Sequence, residues 1–412
     1  MASRKSTSKI VETSARRLIT REKLLEAALW GCDWLTDVGQ VMEKDDPYFG
    51  AIRGEYNTKA REWSFYGPFW HTGQAVRALL MAFKMAGNRK YLKHAIWGGE
   101  YMIRPQVLDE KDTDYYGCIT SSGNMASQLE GLRVLHDLYL VTGEKQWRER
   151  FKLAVDWVIK TTYLKGEGLF LNEVNINYPK KYELGKRERA RPLNDDATLY
   201  AAYQEFKESK YLKTFLEVAD RLLQDEDPPG NWIKYYPCDP NAFGGLGHIH
   251  PRQAWWWGYP MLSAYDATGD KKYLECGIRS GDWYIQNSTL DGAIYYHTTR
   301  NSKHLSFDFC TSAVGCAIIM WIDLWKKLKD EKYREAIGRG LGFLLGAQLG
   351  QDVEDRNLRG VFFERLNPTD GTEEPGFHVR DIATIFAAQA ILKLLEASED
   401  KEFYYFGYPR KF

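Results

Sequence analysis

The sequence predicts an all-α protein, an (α/α)6 toroid of six helical hairpins closed by pairing of its first and last helices. Three observations predict it. A short turn followed by a basic residue and an aromatic recurs five times, a second bulky residue follows each aromatic by ten positions, and helix-forming stretches flank every turn.

The turns are AGNRKYL ending at Leu92, TGEKQWR at Arg148, ESKYLK at Lys213, TGDKKYL at Leu274 and DEKYRE at Glu335. The spaced pairs are Tyr91 and Tyr101, Trp147 and Trp157, Tyr211 and Arg221, Tyr273 and Trp283, and Tyr333 and Phe343. Apolar residues at helical spacing predict a first helix before each turn, over 74–85, 128–141, 197–206, 254–267 and 313–328. A short turn between two helices makes an αα-hairpin. The sixth hairpin is split between the termini: 22–35 carries the same Asp33-Trp34 ending, and 382–397 supplies its partner. An open solenoid needs polar capping repeats, whereas both terminal helices here have a strongly apolar face, so closure is expected. Residues 22–398 then form the (α/α)6 catalytic domain, with a flexible N-terminal tail over 1–21 and a C-terminal tail over 399–412.

Composition narrows the function. The 412 residues balance 56 basic against 56 acidic side chains, with no basic stripe, which argues against a nucleic-acid partner. No apolar run reaches membrane-spanning length and no secretory signal is read near the N-terminus, so a cytoplasmic location away from membranes is expected. The six cysteines lack any CxxC spacing and read as reduced, buried thiols. Aromatic residues make up 14% of the chain, and aromatic faces pack against sugar rings as readily as they fill cores.

The segments between hairpins are long and dissimilar, over 104–125, 161–194, 225–253, 286–306 and 349–379. All of them lead into a first helix, so they gather at one face of the ring, where function is expected; the short-turn face is expected to be structural. The same closure turns six positive helix ends toward one cavity, a setting that favours an anion. The helix starts carry Trp70 and His71, Asn124, Asp195 and Asp196, Arg252 and Trp255, Asp308, and His378, Arg380 and Asp381. Asn and Asp there also serve as ordinary N-caps, but capping requires neither His nor Arg.

Glycoside cleavage needs an acid for the leaving oxygen and a carboxylate for the water or the anomeric carbon. Asp195, Asp196, Asp308 and Asp381 are the candidate catalytic residues. Among them, the adjacent Asp195 and Asp196 are the favoured source of the acid, because neighbouring carboxylates in a confined site cannot both ionise easily. Glu130, one turn inside its helix, is a further candidate. Trp70, His71, Asn124, Arg252, Trp255, His378 and Arg380 are the candidate substrate-binding residues, with Arg252 and Arg380 suited to fork onto a carboxylate. His248-Ile249-His250 lacks an acidic or Cys partner at metal-ligand spacing, and no phosphate loop or H-E-x-x-H occurs, so neither metal nor cofactor is expected.

The hairpins ending in TGDKKYL-type turns, and inner helices opened by Asp, Asn, His or Trp, resemble the six-hairpin glycosidases. Within that group the chain is most similar to unsaturated glucuronyl hydrolases and related uronate-removing glycosidases (families 88, 105 and 154), over residues 22–398. The resemblance implies an oligosaccharide substrate carrying uronate and a general acid/base Asp at an inner-helix start, at Asp196 or Asp308. The His-Asp-x-Gly-Phe stretch of unsaturated glucuronyl hydrolases is absent, which points to a saturated uronide. Two other readings compete: a lyase or sugar epimerase acting at C5 through His71, His378 and Tyr295 or Tyr296, and a carbohydrate-binding scaffold without catalysis.

Overall fold

A computed structural model describes residues 17–65, 67–303, 309–364 and 378–405. Its frame is twelve helices of nine residues or more. They are α1 (Arg21–Trp34), α2 (Pro68–Ala86), α3 (Arg89–Ile103), α4 (Met125–Thr142), α5 (Lys145–Thr162), α6 (Thr198–Phe206), α7 (Ser209–Gln224), α8 (Tyr259–Thr268), α9 (Lys271–Gln286), α10 (Thr311–Leu328), α11 (Glu331–Ala347) and α12 (Asp381–Ala397).

The short turns explain the repeated motif. Gly87, Gly143 and Gly269 end α2, α4 and α8 in the left-handed conformation, releasing the chain from the helix. Asn88, Asp270 and Asp330 then cap α3, α9 and α11, each side chain accepting from the N–H of the Lys two residues on. The aromatic that follows reaches across to the preceding outer helix. Tyr91 donates to Asp33 at 3.0 Å, Tyr211 to Asp156 at 2.7 Å, Tyr273 to Asp220 at 2.8 Å and Tyr333 to Asp282 at 2.9 Å. The two positions of each sequence pair thus join different hairpins: the aromatic of one turn holds the acid beside the second member of the pair before it.

Even-numbered helices line the inside and odd-numbered ones the outside. The inner α10 and α12 are buried along almost their whole length, as a helix apolar all round must be. The outer α7 buries one stripe, Tyr211, Phe215, Val218, Ala219 and Leu222, at helical spacing. The ring closes where expected, with α12 packed between α2 and α10 and against α1.

Six glycines mark the same six-fold repeat. After each outer helix the loop returns a left-handed glycine onto the next outer helix: Gly50 on Trp97, Gly117 on Leu153, Gly168 on Glu217, Gly230 on Arg279, Gly292 on Arg339 and Gly360 on Trp30. A methyl group at the first five would stand 2.2–2.4 Å from the facing carbonyl oxygen, and at Gly360 3.0 Å, so the backbone is admitted only without a side chain. The last contact, from the end of the chain onto α1, makes the set circular.

Two expectations are corrected. Residues 17–20 and 402–405, expected to be tail, pair as antiparallel strands, Arg17 opposite Tyr405 and Thr20 opposite Glu402. The helix expected over 254–267 opens as a five-residue π-helix, Ala254–Gly258, before α8. No helix among the described residues is long and apolar enough to cross a membrane.

Candidate active site

The loop-facing ends of the inner helices bring Trp70, His71, Arg252 and Asp381 together and bury Asp195 beside Glu130, and the backbone at Asp196 is strained. Asp196 (φ 59°) and Ala197 (φ 52°) are consecutive left-handed residues without being glycine. Each such residue costs on the order of 1–2 kcal/mol, and such strain persists where surrounding contacts over-determine it. Its effect is to send two neighbouring carboxylates to different surroundings.

Asp196 turns toward α2. Its carboxylate pairs with Arg77 at 2.5 Å, and its carbonyl accepts from Arg133 at 2.9 Å. It lines a cavity of about 330 Å³ walled chiefly by the C-terminal halves of α2, α4 and α12, on the face expected to be merely structural. Asp195 is buried among Arg191, Trp257 and Glu130. Burial pushes its carboxyl up to about 7, opposed by Arg191, its own backbone N–H and the nearby Trp257 indole. Glu130 is pushed well above the usual carboxylate range, by burial and then by Asp195, with Arg252 opposing. Among the described residues, one oxygen of each acid, Glu130 Oε1 and Asp195 Oδ2, is buried without a hydrogen-bond partner, which favours the neutral form.

The other candidates divide. Asp381 is the partner of His71, Oδ1 to Nδ1 at 2.6 Å, both side chains wholly buried. Burial lowers the His71 pKa, and Asp381 partly restores it. Trp70 packs its ring against His71 and lies 5.9 Å from the Arg252 guanidinium. The two arginines expected to clamp a substrate carboxylate already have partners in the chain. Arg252 meets Glu364 at 3.1 Å and Ser312 at 2.9 Å, and Arg380 meets Glu55 at 2.7 Å. Trp255 is turned into the core against Phe386 by the π-turn and so is not exposed at the mouth. Asn124 caps α4, accepting from the Ser127 N–H at 2.9 Å, and also lines a cavity of about 420 Å³. His378 takes part through its backbone, opposite Asn57 in a three-stranded sheet. Asp308 lies outside the described residues.

Two residues of the site escaped the sequence reading. Glu364 is fully buried and accepts from Ser312 N–H at 2.9 Å and Ser312 Oγ at 2.7 Å besides Arg252. Arg191 is 94% buried, since its relative exposure is 6%, and it packs 5.5 Å from the Trp257 ring. Among the described residues the one hydrogen bond of its guanidinium is a long one, 3.5 Å to Asn172 Oδ1, and its Nε has no partner. Burial lowers its pKa, opposed chiefly by Asp195. Proximity to Asp195, four positions on, was its only signal in the sequence.

Against known proteins, no family model matches this sequence and no curated protein does. Solved structures do match. A heparin-specific unsaturated glucuronyl hydrolase superposes with a TM-score of 0.67 at 15% identity, over 92% of this chain and 98% of that one. Cellobiose 2-epimerase from Bacillus thermoamylovorans gives 0.65 at 13% identity, over 90% and 99%. An α-1,6-mannanase from Salegentibacter gives 0.59 at 12% identity, over 91% and 100%. The chain shares their fold, the (α/α)6 toroid. Proteins of this shape perform different reactions, so the activity has to be argued from the residues of the site.

Proposed function

We propose that the protein is a glycoside hydrolase that removes a uronic acid from oligosaccharides, with Glu130 as general acid, Asp195 as general base and Arg191 as the clamp for the uronate carboxylate. The observation that carries this reading is Arg191. A guanidinium buried beside the acid pair, with no ion pair among the described residues, suits an anionic ligand, and its fork matches a carboxylate bidentately.

The roles follow from unequal environments. Glu130, the more firmly protonated, gives its proton to the glycosidic oxygen as the bond from C1 to that oxygen breaks. Asp195 ionises near neutrality and takes a proton from the water that attacks C1. The products are the free uronic acid and an alcohol, and solvent returns the proton from Asp195 to Glu130. His71, oriented by Asp381, and Trp70 stand beside Arg252 to receive sugar hydroxyls and ring faces. Asp196, held by Arg77, fixes the turn that presents Asp195. The mannanase of the same fold offers a parallel: a variant with two consecutive aspartates replaced by asparagine is inactive.

A second reading has its own observation. The buried His71–Asp381 pair, with its imidazole biased to the neutral form, suits removal of a carbon-bound proton, as an epimerase or a lyase requires.

A panel of aryl glycosides, glucuronide beside glucoside and galactoside, tests the proposal. The glucuronide is expected to be cleaved fastest, and Arg191→Ala to remove that preference. Glu130→Gln is expected to lose about a hundredfold or more on poor leaving groups and far less on dinitrophenolate, which needs no proton. Release of a product absorbing as a conjugated C4=C5 uronate, or deuterium uptake at carbon without cleavage, would instead establish the second reading.

A further inference from the structure

Arg191 has a second aromatic neighbour besides Trp257: its guanidinium lies 5.9 Å from the Tyr236 ring. Tyr236 is 72% exposed, unusual for a large aromatic side chain on a loop that is otherwise well packed, since Trp232, Ile233 and Tyr235 just before it are buried. Between Arg191 and Tyr236 opens the cavity of about 420 Å³, walled by segments that lead into three inner helices: Asn124 before α4, Asn172 and Arg191 before α6, Lys234 and Tyr235 before α8. Its chemistry is that of a sugar site, with amide and charged groups around an aromatic face.

We infer that this cavity is a subsite for the sugar adjoining the one that is cut, with Tyr236 as its stacking platform, so that the substrate is an oligosaccharide of at least two rings. The inference rests on the glycosidase reading, because it takes Arg191 as the boundary between the cleaved uronate and its neighbour. Asn172 is itself 96% buried, its relative exposure being 4%, and is fixed by the Ala126 N–H at 3.3 Å, so the inner wall of the cavity is preformed. On its rim the basic groups are already paired, Arg189 with Glu173 at 3.0 Å and Lys234 with Asp225 at 3.0 Å, and Glu188 adds an exposed acidic group. Recognition of the second sugar therefore falls to the aromatic face and the amides, which suits a neutral ring.

The test compares an aryl glucuronide with a disaccharide in which glucuronate is joined to a neutral sugar, for the wild type, Tyr236→Ala and Tyr236→Trp. Tyr236→Ala is expected to lower kcat/KM for the disaccharide, relative to the aryl glucuronide, by roughly three- to tenfold, the scale of one aromatic contact, and Tyr236→Trp to restore it. Equal losses on both substrates would overturn the subsite. Calorimetric binding of the disaccharide and of free glucuronate separates the two levels of the argument. Tighter binding of the disaccharide that depends on Tyr236, without cleavage, upholds the subsite and sinks the hydrolase. Cleavage without any dependence on Tyr236 does the reverse, and failure to bind either sugar ends both.

Discussion

Asp195 stands in an environment that penalises its ionised form, and this has a thermodynamic signature. Its carboxyl rises from 3.8 to about 7 in the fold, so between those values the folded protein holds a proton that the unfolded chain has released. Stability linked to Asp195 is therefore present below pH 4 and lost as the pH rises toward 7. Asp195→Asn, neutral at every pH and similar in shape, is expected to raise the melting temperature at pH 8, to leave it unchanged at pH 4, and to abolish turnover. An unaltered Tm at pH 8 would show that the carboxyl is not held neutral. For kcat/KM the base must be ionised and the acid protonated, so activity rises through about pH 7 and falls only at the higher value set by Glu130. The acid pair was half legible in sequence. Asp195 and Asp196 stood out as neighbours, but which one lies beside Glu130 and Arg191 depends on two left-handed residues that no local pattern announces. Arg252 and Arg380 were read as suited to a substrate carboxylate because the partners they have in the fold come from elsewhere in the chain. Glu364, for one, lies 112 residues from Arg252.

At the scale of elements, the repeated turn and the repeated glycine make unequal contributions. The Tyr333 hydroxyl bonds to an Asp282 side chain that is 44% exposed, where solvent competes for both groups. Tyr333→Phe is thus expected to cost about 1 kcal/mol or less. Gly50→Ala forces both a left-handed alanine and a contact of 2.3 Å with a helix carbonyl, and is expected to cost several times more. Equilibrium unfolding in urea orders the two directly; comparable losses would mean that the loop relaxes away from α3. Helix positions were legible because their period is local, and so were the turn motifs. The glycine set was not, since its spacing varies with loop length and its meaning lies in the neighbouring hairpin. The π-turn at Ala254–Gly258 was read as plain helix because three tryptophans in a row carry no period to contradict it.

The ring as a whole behaves differently from a stack. In an open array each repeat touches its two neighbours and the ends fray, whereas here Gly360 on Trp30 and the pairing of residues 17–20 with 402–405 give every hairpin two neighbours. A single cooperative thermal transition is expected, with calorimetric and van't Hoff enthalpies in agreement; stepwise loss of helix from the terminal hairpins would contradict closure. Closure itself was foreseen from the apolar faces of the two terminal helices. The small terminal sheet was not, because four residues on each side carry too little alternation to read before they are brought together.

That terminal sheet leaves Arg17 opposite Tyr405, so the two described ends of the chain meet at one seam of the annulus. Topologically, the seam is then one junction among six, and translation could have started at any of them. A gene rearranged to join the ends through a brief linker and to begin instead at Glu208, in the short turn between α6 and α7, should yield the same ring with the same acids in place.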